Sequence, residues 1–215
     1  MYGWTYTPAN VILNDTFKLD MPRIIMYDWA HTYVHDGLAD EEFGLCMKDL
    51  QKENACSYGE LGMYLSAFTF PKSCTDVAHL LIAEKTAHHF KTGNFSCTGS
   101  EFLTLVLVIH RYVATVVTAR GIHMDKVNSM LAVLEVVMLL LALKTETVTA
   151  DQLTKAIVKH VVLFKIAWGV KRWRPKYHYA IHLGPMLAHF GFLLATFTHE
   201  RKHRLVTSTV RIAGT

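Results

Sequence analysis

Acidic residues are absent from the whole stretch 152–199. Glu200 is the one acid after Asp151, and Arg201, Lys202, Arg204 and Arg211 follow it. The net charge of +4 is therefore not spread evenly. Acids gather upstream, many between Asp15 and Glu60, and the last third is basic. Such a third fits a polyanion, nucleic acid being the commonest, or a solvated basic face. Cysteine is scarce. Cys46, Cys56, Cys74 and Cys97 form no C-x-x-C pair and read as reduced thiols of an intracellular protein. Long apolar runs are lacking too. Phe102–Ile109 ends at His110-Arg111, Met130–Leu143 carries Glu135, and Ala156–Val170 carries Lys159, His160 and Lys165. None reaches the roughly 18 uninterrupted apolar residues of a spanning helix. Buried helices explain the 51% hydrophobic content better than a polytopic membrane protein does. The N-terminus has no basic start followed by an apolar stretch, so a signal peptide is not expected. There is no internal repeat, low-complexity tract or heptad run.

What is there is a succession of helix signals. Residues 1–27 are punctuated by Pro8, Asn10, Asn14, Asp15 and Pro22, and Arg23–Tyr27 has the composition of a short strand. Asp40 is placed to cap a helix over 41–52. Ser57-Tyr-Gly-Glu60, Thr98-Gly-Ser-Glu101 and Thr149-Ala-Asp-Gln152 have capping-box spacing, so a helix should follow each. Another helix should start at Ser73 or Thr75 and leave through Gly93-Asn94. Met124–Lys144 is the most apolar helical stretch. Lys171–Lys176, with Pro175, reads as a basic linker. Tyr177–Phe190 reads as a helix that Gly184-Pro185 breaks or kinks. The fold class is mainly α: a bundle of about five or six helices between less regular ends.

Four groups of residues carry chemistry. His199-Glu200-Arg201-Lys202-His203 matches H-E-x-x-H, in which two histidines hold Zn²⁺ and the glutamate activates water. Here the two x positions are cationic, and no His, Asp, Glu or Cys follows His203, so a third ligand must come from upstream. His178-Tyr-Ala-Ile-His182 repeats the i, i+4 histidine spacing, a minor pointer to di-iron chemistry. Asp28-Trp-Ala-His31 follows the strand-like stretch, as an acid presented to a metal or as a helix N-cap beside a histidine. Trp168, Trp173, Tyr177 and Tyr179 interleave with Lys171, Arg172, Arg174 and Lys176. They read either as bases stacked and phosphates held, or as core aromatics with solvated cations.

Taken in order, these pieces resemble one family. Met26-Tyr-Asp28-Trp-Ala-His31-Thr-Tyr-Val-His-Asp-Gly37 resembles the D-x-x-H stretch, with its following glycine, of CACTA (En/Spm)-like DDE transposases. Pro175-Lys-Tyr-His178-Tyr-Ala-Ile-His182, then Phe190-Gly191, then Phe197-Thr-His-Glu200-Arg-Lys-His203, resembles the segment near the end of that catalytic domain. One departure is that Thr198 and His199 separate Phe197 from Glu200, which are adjacent in the family pattern.

The resemblance implies an RNase H-like sheet bearing acids, with a large helical insertion before the final one. Residues 1–37 would be a partial core segment, 38–170 the insertion, and 171–215 the basic, His-rich end carrying the final acid. Glu200 and Asp28 would be metal ligands, and Glu200, Asp28 and His31 the catalytic group. Mg²⁺ or Mn²⁺ would suit these carboxylates, with Zn²⁺ the alternative through H-E-x-x-H. Lys171, Arg172, Trp173, Arg174, Lys176, Arg201, Lys202 and Arg204 would hold DNA. The expected setting is nuclear or cytoplasmic, without a membrane, with a homo-oligomer and the upstream part of the same protein, which holds the remaining acids, as expected partners alongside DNA. Catalysis by this chain alone is not expected. A non-catalytic helical interaction protein is the other reading.

Overall fold

The computed structural model describes residues 25–71, 76–145 and 148–196. Among the described residues regular structure is helical and there is no strand. Helix α1 covers Trp29–Tyr33, α2 Leu38–Lys52, α3 Tyr58–Ser66 and α4 Ala83–Thr92. Helix α5 covers Gly99–Tyr112, α6 Met124–Ala142, α7 Ala150–Trp168 and α8 Pro175–Phe190. Mainly α is therefore the fold class. The expected flanking strand is not seen where it is described: residues 25–28 run into α1 without a sheet partner.

Local chemistry explains the helix starts. Each of the three expected capping boxes is formed. Ser57, Thr98 and Thr149 accept from the backbone N–H of Glu60, Glu101 and Gln152, whose side chains reach back to the cap N–H. Each such cap is worth about 1 kcal/mol. Gly93, Gly121 and Gly191 adopt left-handed conformations that end their helices. Two starts differ from expectation. Helix α2 begins at Leu38 with Gly37 as its cap, so Asp40 sits inside the first turn, buried. A Cβ on Gly37 would lie 2.2 Å from the carbonyl carbon of Tyr33, so only glycine lets α1 turn into α2 here. The Lys171–Lys176 stretch is not an open linker. It contains a 3₁₀ turn at Val170–Arg172, and α8 then starts with Pro175 in its first turn. The helix start expected at Ser73 or Thr75 lies outside the described residues.

Gly184-Pro185 does not break α8. The proline costs one backbone donor, yet the helix runs on to Phe190. Packing holds it there: a Cβ on Gly184 would stand 1.9 Å from Thr154 Oγ1 of α7, so the two helices meet at backbone distance. Helix α5 passes through a π turn at Val113–Val117, where Thr118 Oγ1 donates to the Val113 carbonyl at 2.9 Å, before a 3₁₀ turn ends it.

The core is built around α6. It buries Val127, Met130, Val133, Leu134, Val137 and Leu140, and packs against α2, α5 and α7. Helix α8 lies on α7 and carries α1 on its other side. Gly99–Arg120 and Met124–Thr145 are each 22 residues long and apolar enough to cross a membrane by length and composition. In this fold both supply the core, with Phe102, Leu105, Val106 and Ile109 of the first wholly buried.

Candidate functional site

The segment before α1, the end of α8 and the residues beyond it meet in one place. Tyr27 stacks on Tyr179 with ring centroids 4.6 Å apart, and its N–H points to Met186 Sδ at 3.5 Å. The Trp29 N–H donates to the Leu194 carbonyl at 3.1 Å. The preceding residue, Asp28, is the N-cap of α1, its Oδ1 accepting from the Ala30 N–H at 2.8 Å. Its Oδ2 lies 2.5 Å from His31 Nδ1 and accepts from the Thr196 hydroxyl. Burial acts to raise the Asp28 pKa, but hydrogen bonds from Thr196, His31 and Ala30 outweigh it and hold the value below the usual carboxylate range. The carboxylate is ionised, and its side chain is 14% exposed against 44% for His31. Of the two readings of Asp28-x-x-His31, the geometry shows the helix N-cap beside a histidine, with the carboxylate bonded to Ala30, His31 and Thr196.

The basic stretch divides. Lys176 Nζ donates to the carbonyls of His31 and Asp36, both at 2.7 Å, and His35 at 3.4 Å. It ties α8 to the end of α1, in place of the phosphate contact expected from its sequence position. Partial burial lowers its pKa, opposed by Asp40 and Asp36. Arg174 pairs with Glu41 at 2.9 Å. Trp173 is half-buried, stacked on Tyr177 at 4.9 Å, with Lys165 Nζ 4.6 Å above its ring. Its ring is engaged within the fold. Trp168 is engaged likewise, under Lys126 Nζ at 5.0 Å. Lys171 and Arg172 are exposed. Arg172 and Arg174 border a cleft of about 320 Å³ that Asp36, Asp40 and Glu41 also line. Burial pushes the Asp40 carboxyl up to about 8 despite a hydrogen bond from the Glu41 N–H.

Glu200, Arg201, Lys202 and Arg204 lie outside the described residues, as does the whole H-E-x-x-H string. Among the described residues no three His, Cys, Asp or Glu side chains gather to hold a metal. Asp28 and His31 would need a further ligand from elsewhere.

One cluster escaped the sequence reading. Glu42 of α2 is fully buried. Its Oε1 accepts from Tyr177 at 3.0 Å and lies 2.5 Å from His160 Nε2, and its Oε2 accepts from Ser129 at 2.7 Å. Tyr33 OH stands 3.5 Å from His160 Nδ1. Burial, then the Glu42 charge, raises the pKa of Tyr33 and Tyr177 well above the phenol range. The cluster joins α1, α2, α6, α7 and α8, and no member reaches solvent. It is a polar lock within the core. Its one sequence signal is a polar residue inside an apolar run, as at His160.

Compared with known proteins, the chain matches no family model, no curated protein and no solved structure.

Proposed function

We propose that this chain is the C-terminal part of a CACTA-like transposase catalytic domain, a DNA-binding module whose metal-dependent strand-transfer chemistry needs acids from elsewhere. The observation that supports this reading is the junction at Asp28. Thr196 bonds to Asp28, and Leu194 to Trp29, so the segment leading to Glu200 is bound to the D-x-x-H segment. Thr196 and Glu200 are four positions apart, and four residues of extended chain span at most about 14 Å. A shared Mg²⁺ or Mn²⁺ site would draw its carboxylates from these two segments. In this reading Asp28 and Glu200 hold the metal and His31 orients Asp28. Lys171, Arg172, Arg201, Lys202 and Arg204 face DNA phosphates in a nuclear or cytoplasmic setting.

A second reading rests on the same atoms. Asp28 already has Ala30, His31 and Thr196 as partners, which suits a structural cap in a non-catalytic interaction protein. Two measurements separate the readings. Thermal denaturation with millimolar Mn²⁺ should raise Tm in the native chain and not in Glu200→Ala. Anisotropy with a labelled DNA duplex should show binding that weakens steeply between 50 and 200 mM salt, on the order of tenfold or more for a few phosphate contacts. No Mn²⁺ effect together with no DNA binding at low salt would leave only the interaction protein.

A further inference from the structure

His178 and His182 lie on α8, one turn apart, and neither bonds to Asp28. Their rings stand at 80° with centroids 4.7 Å apart, and the two Nε2 atoms face each other at 3.3 Å. Two nitrogens on a tetrahedral Zn²⁺, each 2.0–2.1 Å from the metal, are about 3.3 Å apart. The pair thus already has the bite of a two-histidine chelate. The ring of Tyr27, itself stacked on Tyr179, packs against His182 at 5.7 Å and limits its movement. Helix α8 is fixed below by Gly184 against Thr154 and by Tyr177 in the Glu42 lock, so the spacing is held by the core.

We infer that His178 and His182 form a bidentate surface site for a borderline divalent transition metal of the Zn²⁺, Ni²⁺, Cu²⁺ class. Two neutral imidazoles favour these ions over hard Mg²⁺ and Ca²⁺. Among the described residues no third His, Cys, Asp or Glu joins the pair, so the remaining positions on the metal are left to water or to a donor from a partner. The site is separate in residues and in metal preference from the carboxylate site proposed above, and it stands whether or not that site exists.

The test uses the full chain purified without a histidine tag. Titration calorimetry should show one equivalent of Zn²⁺ or Ni²⁺ bound at this pair, Cu²⁺ bound more tightly, and a response to Mg²⁺ that is the same in the native chain and in His178→Ala. Either His178→Ala or His182→Ala should weaken binding at least about tenfold, because a single imidazole remains. The variant with both His199→Ala and His203→Ala should keep it, which separates this site from the H-E-x-x-H string. Both ring positions are at the surface, and circular dichroism checks that the variants fold. Electron paramagnetic resonance of the one-equivalent Cu²⁺ complex should show coupling to two nitrogens, reduced to one in either variant. Loss of binding in the His199/His203 variant, undiminished binding in His178→Ala, or no saturable binding in the native chain overturns the assignment; the last result would make the 3.3 Å contact a hydrogen bond between neutral imidazoles.

Discussion

Glu42 and Asp28 are both carboxylates with three polar partners, yet they sit in opposite kinds of place. Glu42 takes its partners from α6, α7 and α8, and its side chain is 1% exposed. Asp28 takes two of its partners from its own first turn and the third from Thr196, and it keeps a solvent-facing edge. The sealed acid has no route by which a donor could be exchanged for water, metal or substrate, so its chemistry is spent on holding helices together. The partly open acid keeps 14% of its side chain exposed. The same residue chemistry is thus sealed into the core in one region and left at a solvent-facing seam in the other.

That contrast makes graded predictions. The largest effect should come from Glu42→Ala, which leaves His160, Tyr177 and Ser129 unpaired in the core. Urea denaturation should show a loss of about 3–5 kcal/mol, or the protein should fail to fold. Tyr177→Phe removes one donor and keeps the ring stacked on Phe164. It should cost about 1–2 kcal/mol by the same measurement. Asp28→Ala should cost about 1 kcal/mol through loss of the N-cap, and its effect should depend on pH. Asp28 has a folded pKa below its unfolded one, so its contribution is present above the unfolded value of about 3.9 and lost as pH falls through the folded value. Tm measured from pH 6 down to pH 2.5 should fall less steeply in Asp28→Ala than in the native chain. If Asp28→Ala costs as much as Glu42→Ala, the contrast between the regions is void. The smallest effect on stability belongs to Lys171→Ala with Arg172→Ala, within about 0.5 kcal/mol. The same pair should lower DNA affinity at 50 mM salt and flatten its salt dependence, read by anisotropy.

Much of the helical layout was legible in the residues. The three capping boxes at Ser57, Thr98 and Thr149 appear where their spacing put them, and Gly93 ends its helix as expected. These features are set by hydrogen bonds within three or four residues and by one backbone conformation, so the sequence neighbours suffice. Other expectations needed information from far along the chain. Asp40 looked like a cap and is a buried first-turn residue, because Gly37 lets α2 start earlier against α1. Gly184-Pro185 looked like a break and is a close contact with α7. Lys176 and Trp173 looked like part of a nucleic-acid surface, but a helix end and a core aromatic stack occupy them. Of the candidate site, Asp28 and His31 stand together as their motif suggested, while the part that carries Glu200 lies outside the described residues.

The sequence by itself determined the helix starts at the three capping boxes, which stretches are apolar enough to be core, and that positive charge gathers in the last third. The reason is that caps, propensity and composition act over one turn or are sums over a segment. Only the tertiary structure decided what each polar side chain is for. Glu42 and His160 are 118 positions apart, and Thr196 and Asp28 are 168 apart. No local rule pairs them. It is the packing of α2, α6, α7 and α8 that seals one acid away from solvent and leaves the other at a seam.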